Sequence, residues 1–207
     1  MGFLLRRTLE RGRILVSGAR RNGYDLKRLY TQTNFQVWTY RKEDPLPYND
    51  DSLDFIFSEH FLVHLFLDEA MSLLRECYRV LKPYGVIRTC VSDADLRTYE
   101  PPEMIGFPSP KLPYSHHAKV RTRYSVYSLT EALSLAGFAP IPLEYCDRSG
   151  RYFRIDPTEV QESYSGCLDR EMVFRRDYIT RKKNLIVDGL KKPINRPARS
   201  NDENTER

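Results

Sequence analysis

The segment that decides the fold is residues 51–91, which begins Asp-Ser-Leu-Asp-Phe-Ile-Phe-Ser-Glu-His at 51–60 and ends Leu-Lys-Pro-Tyr-Gly-Val-Ile-Arg-Thr-Cys-Val at 81–91. The apolar runs at 53–58 and 86–91 have the length of buried strands. Apolar residues between them recur at the helical period, namely Ala70, Leu73, Leu74, Cys77, Val80 and Leu81. Strand, helix, turn and strand in this order predict a βαβ unit with parallel strands.

Capping signals define two predicted helices. The first is predicted to start near Asp68 as its cap, and Pro83 is predicted to close it. The second is predicted over 128–136, with Ser128 as its cap and Glu131 at the capping-box spacing. Gly137 is predicted to end this second helix.

Short apolar runs at 13–18, 35–40, 138–145 and 184–190 predict four further strands. Residues 92–124 are rich in Pro, Tyr and His and lack periodicity, so they predict a long loop that acts as a lid or binding element. Within it, Asp93 and Asp95 are interpreted as turn-forming residues after a strand. The predicted domain covers residues 1–192, and 193–207 are predicted to form a disordered polar tail.

The composition is that of a globular protein of one domain. The 207 residues are 41% hydrophobic and 29% charged, and no apolar run approaches the roughly 18 residues of a membrane span. The net charge of +5 leaves nucleic acid open as a partner, although a solvated basic surface is the simpler interpretation. The cysteines are scattered, which predicts reduced thiols in a cytoplasmic protein: Cys77, Cys90, Cys146 and Cys167.

The central block resembles the class I S-adenosylmethionine-dependent methyltransferases. Residues 51–60, with their Ser-Glu-His end, and 74–88, with Arg-Val-Leu-Lys-Pro, resemble the centre of that family. Leu-Pro-Tyr at 46–48 is similar to its Leu-Pro-Phe loop, and Ala-Gly-Phe at 136–138 also matches. Tyr84 stands in place of a family glycine.

This resemblance extends over residues 14–193 and implies an α/β, Rossmann-like class I methyltransferase fold with a mostly parallel central sheet flanked by helices. It also implies S-adenosyl-L-methionine as the cofactor. The family's glycine loop after the first strand is represented here by Gly18 alone, because Ala19 and Arg20 replace other glycines. A cation at Arg20 would oppose a positively charged sulfonium unless its side chain turns away.

The resemblance further implies the cofactor-binding residues. An acid just before the Leu-Pro loop faces the adenine amine in the family, and Glu43 or Asp44 could take that role here, although both could equally be exposed loop charges. Ser58, Glu59 and His60 would form the wall of the cofactor pocket.

The long loop carries the candidate catalytic residues. His116 or His117 would act as general base toward the acceptor, since histidine has a suitable pKa. Neighbouring cations and rings would line an acceptor pocket that favours an anionic acceptor: Tyr114, Arg121, Arg123, Tyr124 and Tyr127. The alternative interpretation is a polar surface loop.

Metal binding is not predicted. His60 and His64 are one helical turn apart and Glu59 adjoins them, which is a spacing that can hold zinc. No third ligand follows at a suitable spacing, so we interpret these residues as pocket wall and helix start.

Two functions remain open from the sequence. The first is an S-adenosylmethionine-dependent methyltransferase that acts on an unknown acceptor. The alternative is a catalytically inactive, methyltransferase-like module that binds a protein or nucleic-acid partner, favoured by the missing glycines and the basic termini.

Overall fold

Seven strands, three α-helices and two short 3-10 helices make up the regular structure of the computed structural model, which describes residues 13–17, 36–39, 44–96, 120–174 and 184–193. The strands are β1 (Arg13–Ser17), β2 (Gln36–Thr39), β3 (Leu53–Glu59), β4 (Leu81–Val91), β5 (Ala139–Cys146), β6 (Tyr152–Arg154) and β7 (Leu185–Leu190). The helices are α1 (Leu67–Val80), α2 (Val126–Leu135) and α3 (Arg170–Val173). The predicted tail beyond residue 193 lies outside the described residues.

The strands form one sheet in the order β2-β1-β3-β4-β7-β5-β6. The first four pair in parallel. β7 is antiparallel to both β4 and β5, so β5 runs in the same direction as the first four strands, while β6 opposes β5. Five of the seven strands therefore share one direction, which confirms the mostly parallel sheet and the Rossmann-like α/β class.

Helix α1 forms where the apolar period predicts it. Five of its apolar residues are buried against the sheet: Ala70, Leu73, Leu74, Cys77 and Val80. The predicted cap is wrong: Phe66 occupies the cap position, and its N–H donates to the Glu69 carboxylate at 3.0 Å. Asp68 lies in the first turn instead, where a negative charge still interacts favourably with the helix dipole.

The helix also ends earlier than predicted. Leu81 is already extended, so Pro83 does not close α1 but lies within β4, next to an irregularity in the β3–β4 register. Tyr84 has a φ of +66°, a left-handed conformation that glycine adopts readily and other residues rarely do. Tyr84 therefore takes the strained conformation at the position where the family has a glycine.

Helix α2 is present, but its cap is Ser125 rather than Ser128. The Ser128 N–H donates to the Ser125 hydroxyl at 3.4 Å, and the Ser125 N–H donates to the Ser128 hydroxyl at 3.0 Å. Ser128 thus takes the reciprocal place in the capping box that the sequence assigned to Glu131. Gly137, with a φ of +104°, follows the helix end as predicted.

Two apolar layers cover the sheet. Helices α1 and α2 cover one face, and the segment around 160–174, including α3, packs on the other face against Phe55, Phe57 and Ile186. All four cysteines are buried and none forms a disulfide, as predicted. Within the described ranges, no helix combines the length and apolar character needed to cross a membrane.

A buried ion pair fixes the second layer. Arg88 of β4 donates to Asp188 of β7 at 2.8 and 2.7 Å, and its side chain is 1% exposed. The same guanidinium donates to the Val173 carbonyl, and the Tyr164 hydroxyl donates to Asp188. Burial acts to lower the pKa of Arg88, but the charge of Asp188 outweighs it and holds that pKa above its ordinary value.

We expect Asp188→Ala to lower the free energy of unfolding by about 3–5 kcal/mol, because it leaves the Arg88 charge buried without a partner. Urea denaturation measures the change. Asp50→Ala is the matched control: it removes another arginine-bound carboxylate, but one that is 73% exposed, so its cost should stay below about 1 kcal/mol. Equal costs for the two variants would contradict this account.

Candidate functional site

The order of the strands reverses at β1, and this reversal locates the candidate site. β1 pairs with β2 on one side and with β3 on the other. The chain therefore adds β2 on one side of β1 and then crosses to the opposite side to add β3. Ligands of open α/β sheets bind outside the carboxyl ends of the strands at such a point. The carboxyl end of β3, where Ser58 pairs in register with Val16, therefore borders the candidate site.

The structure places four of the sequence-predicted residues. Ser58, Glu59 and His60 lie together at the carboxyl end of β3, at the strand reversal. Asp44 is exposed at the start of the loop before β3. Gly18, Glu43, His116 and His117 lie outside the described residues, so the roles assigned to all eight stay predictions.

Ser58 is the most informative of the placed residues. Its side chain is 2% exposed, and its hydroxyl has no hydrogen-bond partner among the described residues. Its register neighbours are Val16 of β1 and Thr89 of β4. A buried hydroxyl without a partner costs free energy, so such groups are few in native proteins, and a bound ligand, water or ion is a common explanation for them.

Glu59, His60 and Cys90 form a compact cluster, which we call the β3–β4 triad. One ligand atom from each lies within 4.8 Å of the other two. The sequence did not indicate Cys90 as a member, because it follows His60 by thirty positions. Only the β3–β4 register brings Cys90 opposite Glu59. His64 is not a member, because it ends a short 3-10 turn (Leu62–His64) and does not share a helical face with His60.

Two residues of α1 hold the loop that precedes β3. The Glu76 carboxylate accepts from the Leu46 N–H at 3.0 Å, and Arg79 donates to the carbonyls of Leu46 and Tyr48. Arg79 also pairs with Glu76 at 2.8 Å, and this hydrogen bond lowers the pKa of Glu76. The helix thus fixes the Leu-Pro-Tyr loop directly after Asp44.

Asp93 anchors the beginning of the segment predicted to be a long loop. One carboxylate oxygen accepts from the Cys146 N–H at 2.6 Å, and the other accepts from the Asp95 N–H at 3.0 Å. Burial raises the pKa of Asp93. The second contact confirms the turn-forming role predicted for Asp93, while the first joins the ends of β4 and β5, which the sequence did not indicate.

The last residues of the predicted loop, 120–124, pack against the turn that follows β3. The Arg121 guanidinium donates to the His64 carbonyl at 2.7 Å and lies over the Phe66 ring, and the Thr122 hydroxyl donates to the Leu65 carbonyl. Tyr124 is buried, and its carbonyl accepts from the Ala94 N–H at 2.8 Å. Residues 94 and 124 therefore meet, so both ends of the loop lie near the carboxyl edge of the sheet.

We expect Asp93→Asn to lower the free energy of unfolding by about 1–3 kcal/mol, because an amide supplies one acceptor oxygen where the carboxylate supplies two. Thermal and urea denaturation measure the change. The matched control is Asp95→Asn, whose side chain is partly exposed, with an expected change within about 0.5 kcal/mol. A variant at Asp93 as stable as the control would refute the anchoring role.

Comparison with known proteins shows a partial match to one family model. Residues 17–89 match the family model described as a methyltransferase domain. No curated protein matches the sequence.

Among solved structures, a chain of the complex between the Haloferax volcanii Trm112 methyltransferase activator and a methyltransferase is similar. It is 19% identical with a TM-score of 0.50, over 91% of this chain and 86% of that one. The YcgJ protein of Bacillus subtilis is 15% identical with a TM-score of 0.46, over 88% of this chain and 93% of that one. The Burkholderia thailandensis 1,6-didemethyltoxoflavin-N1-methyltransferase, solved with S-adenosylhomocysteine, is 13% identical with a TM-score of 0.48, over 88% and 72%.

The order of the sheet and the likeness to the Haloferax structure agree with the match over residues 17–89. The chain therefore has the Rossmann-like class I methyltransferase fold, and its residues 17–89 are similar to a methyltransferase domain.

Proposed function

We propose that this chain binds S-adenosyl-L-methionine at the strand reversal and transfers its methyl group to an acceptor that remains to be identified. The observation that carries the proposal is the buried Ser58 hydroxyl, which lies at the carboxyl end of β3 without a partner among the described residues. A polar ligand at this position would supply that partner.

The fixed loops around the reversal support the proposal. The Glu76–Arg79 pair holds the loop after Asp44, and Asp93 holds the start of the long loop. A transfer of this kind depends on holding the donor and acceptor at the correct distance and angle. Rigid loop anchors on both sides of a candidate pocket are suited to that task.

The residues divide into a cofactor side and an acceptor side. Gly18, Glu43 or Asp44, and the run 58–60 would contact the cofactor. His116 or His117 would take a proton from an oxygen or nitrogen acceptor as the methyl group arrives. When bound, S-adenosylmethionine supplies an electrophilic methyl group on a sulfonium, so the chain's own contribution is positioning and proton transfer.

Cations at the acceptor side support an anionic acceptor. Arg123 is exposed next to Tyr124, and Arg148 lies over the Tyr127 ring at 4.5 Å, at the start of α2. An arginine stacked on an exposed ring keeps its donors available for a carboxylate or phosphate.

We expect Ser58→Ala to weaken binding of S-adenosylhomocysteine by about 2- to 10-fold in calorimetric titration, the value of one hydrogen bond. The same variant should be as stable as the wild type or more so without ligand, because it removes an unsatisfied buried hydroxyl.

Ser72→Ala is the control, because Ser72 is exposed on α1 and its hydroxyl donates only within the helix, to the Asp68 carbonyl. It should leave binding unchanged. Unchanged affinity in Ser58→Ala, with measurable binding in the wild type, would remove Ser58 from the cofactor site.

Gly18→Val tests the glycine loop implied by the sequence. A branched side chain should block the approach of the backbone to the methionine part of the ligand, so we expect loss of the thermal shift given by the wild type. An unchanged shift would refute the loop assignment. If the wild type itself shows neither heat nor thermal shift at millimolar ligand, the inactive partner-binding module becomes the better account.

A further inference from the structure

We propose that the β3–β4 triad, Glu59, His60 and Cys90, is a binding site for one divalent metal ion of the zinc type. The triad combines a carboxylate, an imidazole and a thiol whose ligand atoms lie within 4.8 Å of one another. The inference does not depend on cofactor binding, and it revises the expectation from the sequence that no metal is bound.

Strand pairing explains why Glu59 and Cys90 converge. The two residues are register partners across the parallel β3–β4 pair. Side chains alternate between the faces of a sheet, so Glu59 projects from the same face as Phe55 and Phe57. Cys90 packs in the apolar cluster with those two rings, which places its thiol on that face as well.

His60 joins them through a bend of the backbone. Regular alternation would send the side chain after Glu59 to the opposite face. His60 instead has a φ of +47°, which is uncommon outside glycine, and its N–H donates to the Cys90 carbonyl at 2.7 Å. Residues held in such conformations cluster at ligand sites, where the surrounding structure maintains the strain.

The donor set selects the type of metal. Thiolate, imidazole and carboxylate together suit zinc and its neighbours in the first transition row, whereas magnesium and calcium take oxygen ligands. Bond lengths of about 2.0–2.3 Å put tetrahedral ligand atoms about 3.3–3.8 Å apart. Small side-chain rotations would therefore close the triad around an ion.

Burial indicates an open site rather than a closed structural one. The thiol-bearing residue Cys90 is 1% exposed, while Glu59 and His60 are partly exposed. An ion would enter from the carboxyl edge of the sheet and reach the thiol last. Three protein ligands leave a fourth position for water or an acceptor atom, the arrangement of zinc sites that polarise a ligand.

Cobalt substitution tests the site directly. The full chain, kept reduced and freed of metal by a chelator, is titrated with Co²⁺ in the absence of S-adenosylmethionine, and absorption is recorded in the near ultraviolet and visible. We expect about one cobalt to bind per chain and to give a thiolate-to-cobalt charge-transfer band. Added Zn²⁺ should displace the cobalt and abolish this band.

Matched variants locate the ion. Cys90→Ser should abolish the charge-transfer band, and His60→Ala or Glu59→Gln should weaken cobalt binding by at least about 10-fold. Cys77→Ser and His64→Ala are the controls, since Cys77 lies on the buried face of α1 and His64 lies on the turn after β3, both outside the triad. Both controls should keep the band.

Two results would overturn the proposal: a folded wild type that binds no cobalt, or a band that survives in Cys90→Ser. The wild-type titration needs no variant to fold. Calorimetry of the metal-free chain with S-adenosylhomocysteine reports cofactor binding separately, so failure of the metal site and failure of the methyltransferase proposal are distinguishable.

Discussion

The parallel pairing of β3 with β1 on one side and β4 on the other is the constraint on which the candidate site depends. It places Ser58 between Val16 and Thr89, and it sets Glu59 opposite Cys90. A slip of β3 by one residue would turn Ser58 and Glu59 to the opposite faces of the sheet. The apolar residues of β3, buried on both faces, resist such a slip, so core packing and site geometry are set by the same register.

The sequence predicts the elements of this fold better than their ends or their contacts. The spacing of apolar residues located α1 and the strands. A helix with one buried face repeats its apolar residues every three to four positions, whereas a buried strand forms a short apolar run. The caps were wrong at Asp68 and Ser128, because α1 starts after Phe66, whose side chain has no acceptor for a backbone N–H, and α2 starts after Ser125, three residues before the predicted cap. Cys90 could not be found beside Glu59, because strand register is a property of the whole sheet.

Two of the sequence motifs that carry the family resemblance contact each other through α1. The stretch that ends in Arg-Val-Leu-Lys-Pro contains Arg79, and its guanidinium binds two carbonyls of the Leu-Pro-Tyr loop. Two motifs that are more than thirty residues apart in the sequence are therefore in direct contact in the fold. Val80 and Leu81 of the same stretch are core residues, whereas Lys82 is partly exposed and pairs with Asp54 at 2.8 Å.

The contacts at Asp93 and Tyr124 also have a consequence for how the fold can change. The domain itself fixes both ends of the intervening segment, so the main cost of a longer segment is the entropy of a larger closed loop. That entropy rises slowly, by about 0.6 kcal/mol for each doubling of length. The segment between these contacts could thus lengthen, shorten or be exchanged over generations while the sheet persists, which would let one scaffold present different sequences at the carboxyl edge of the sheet.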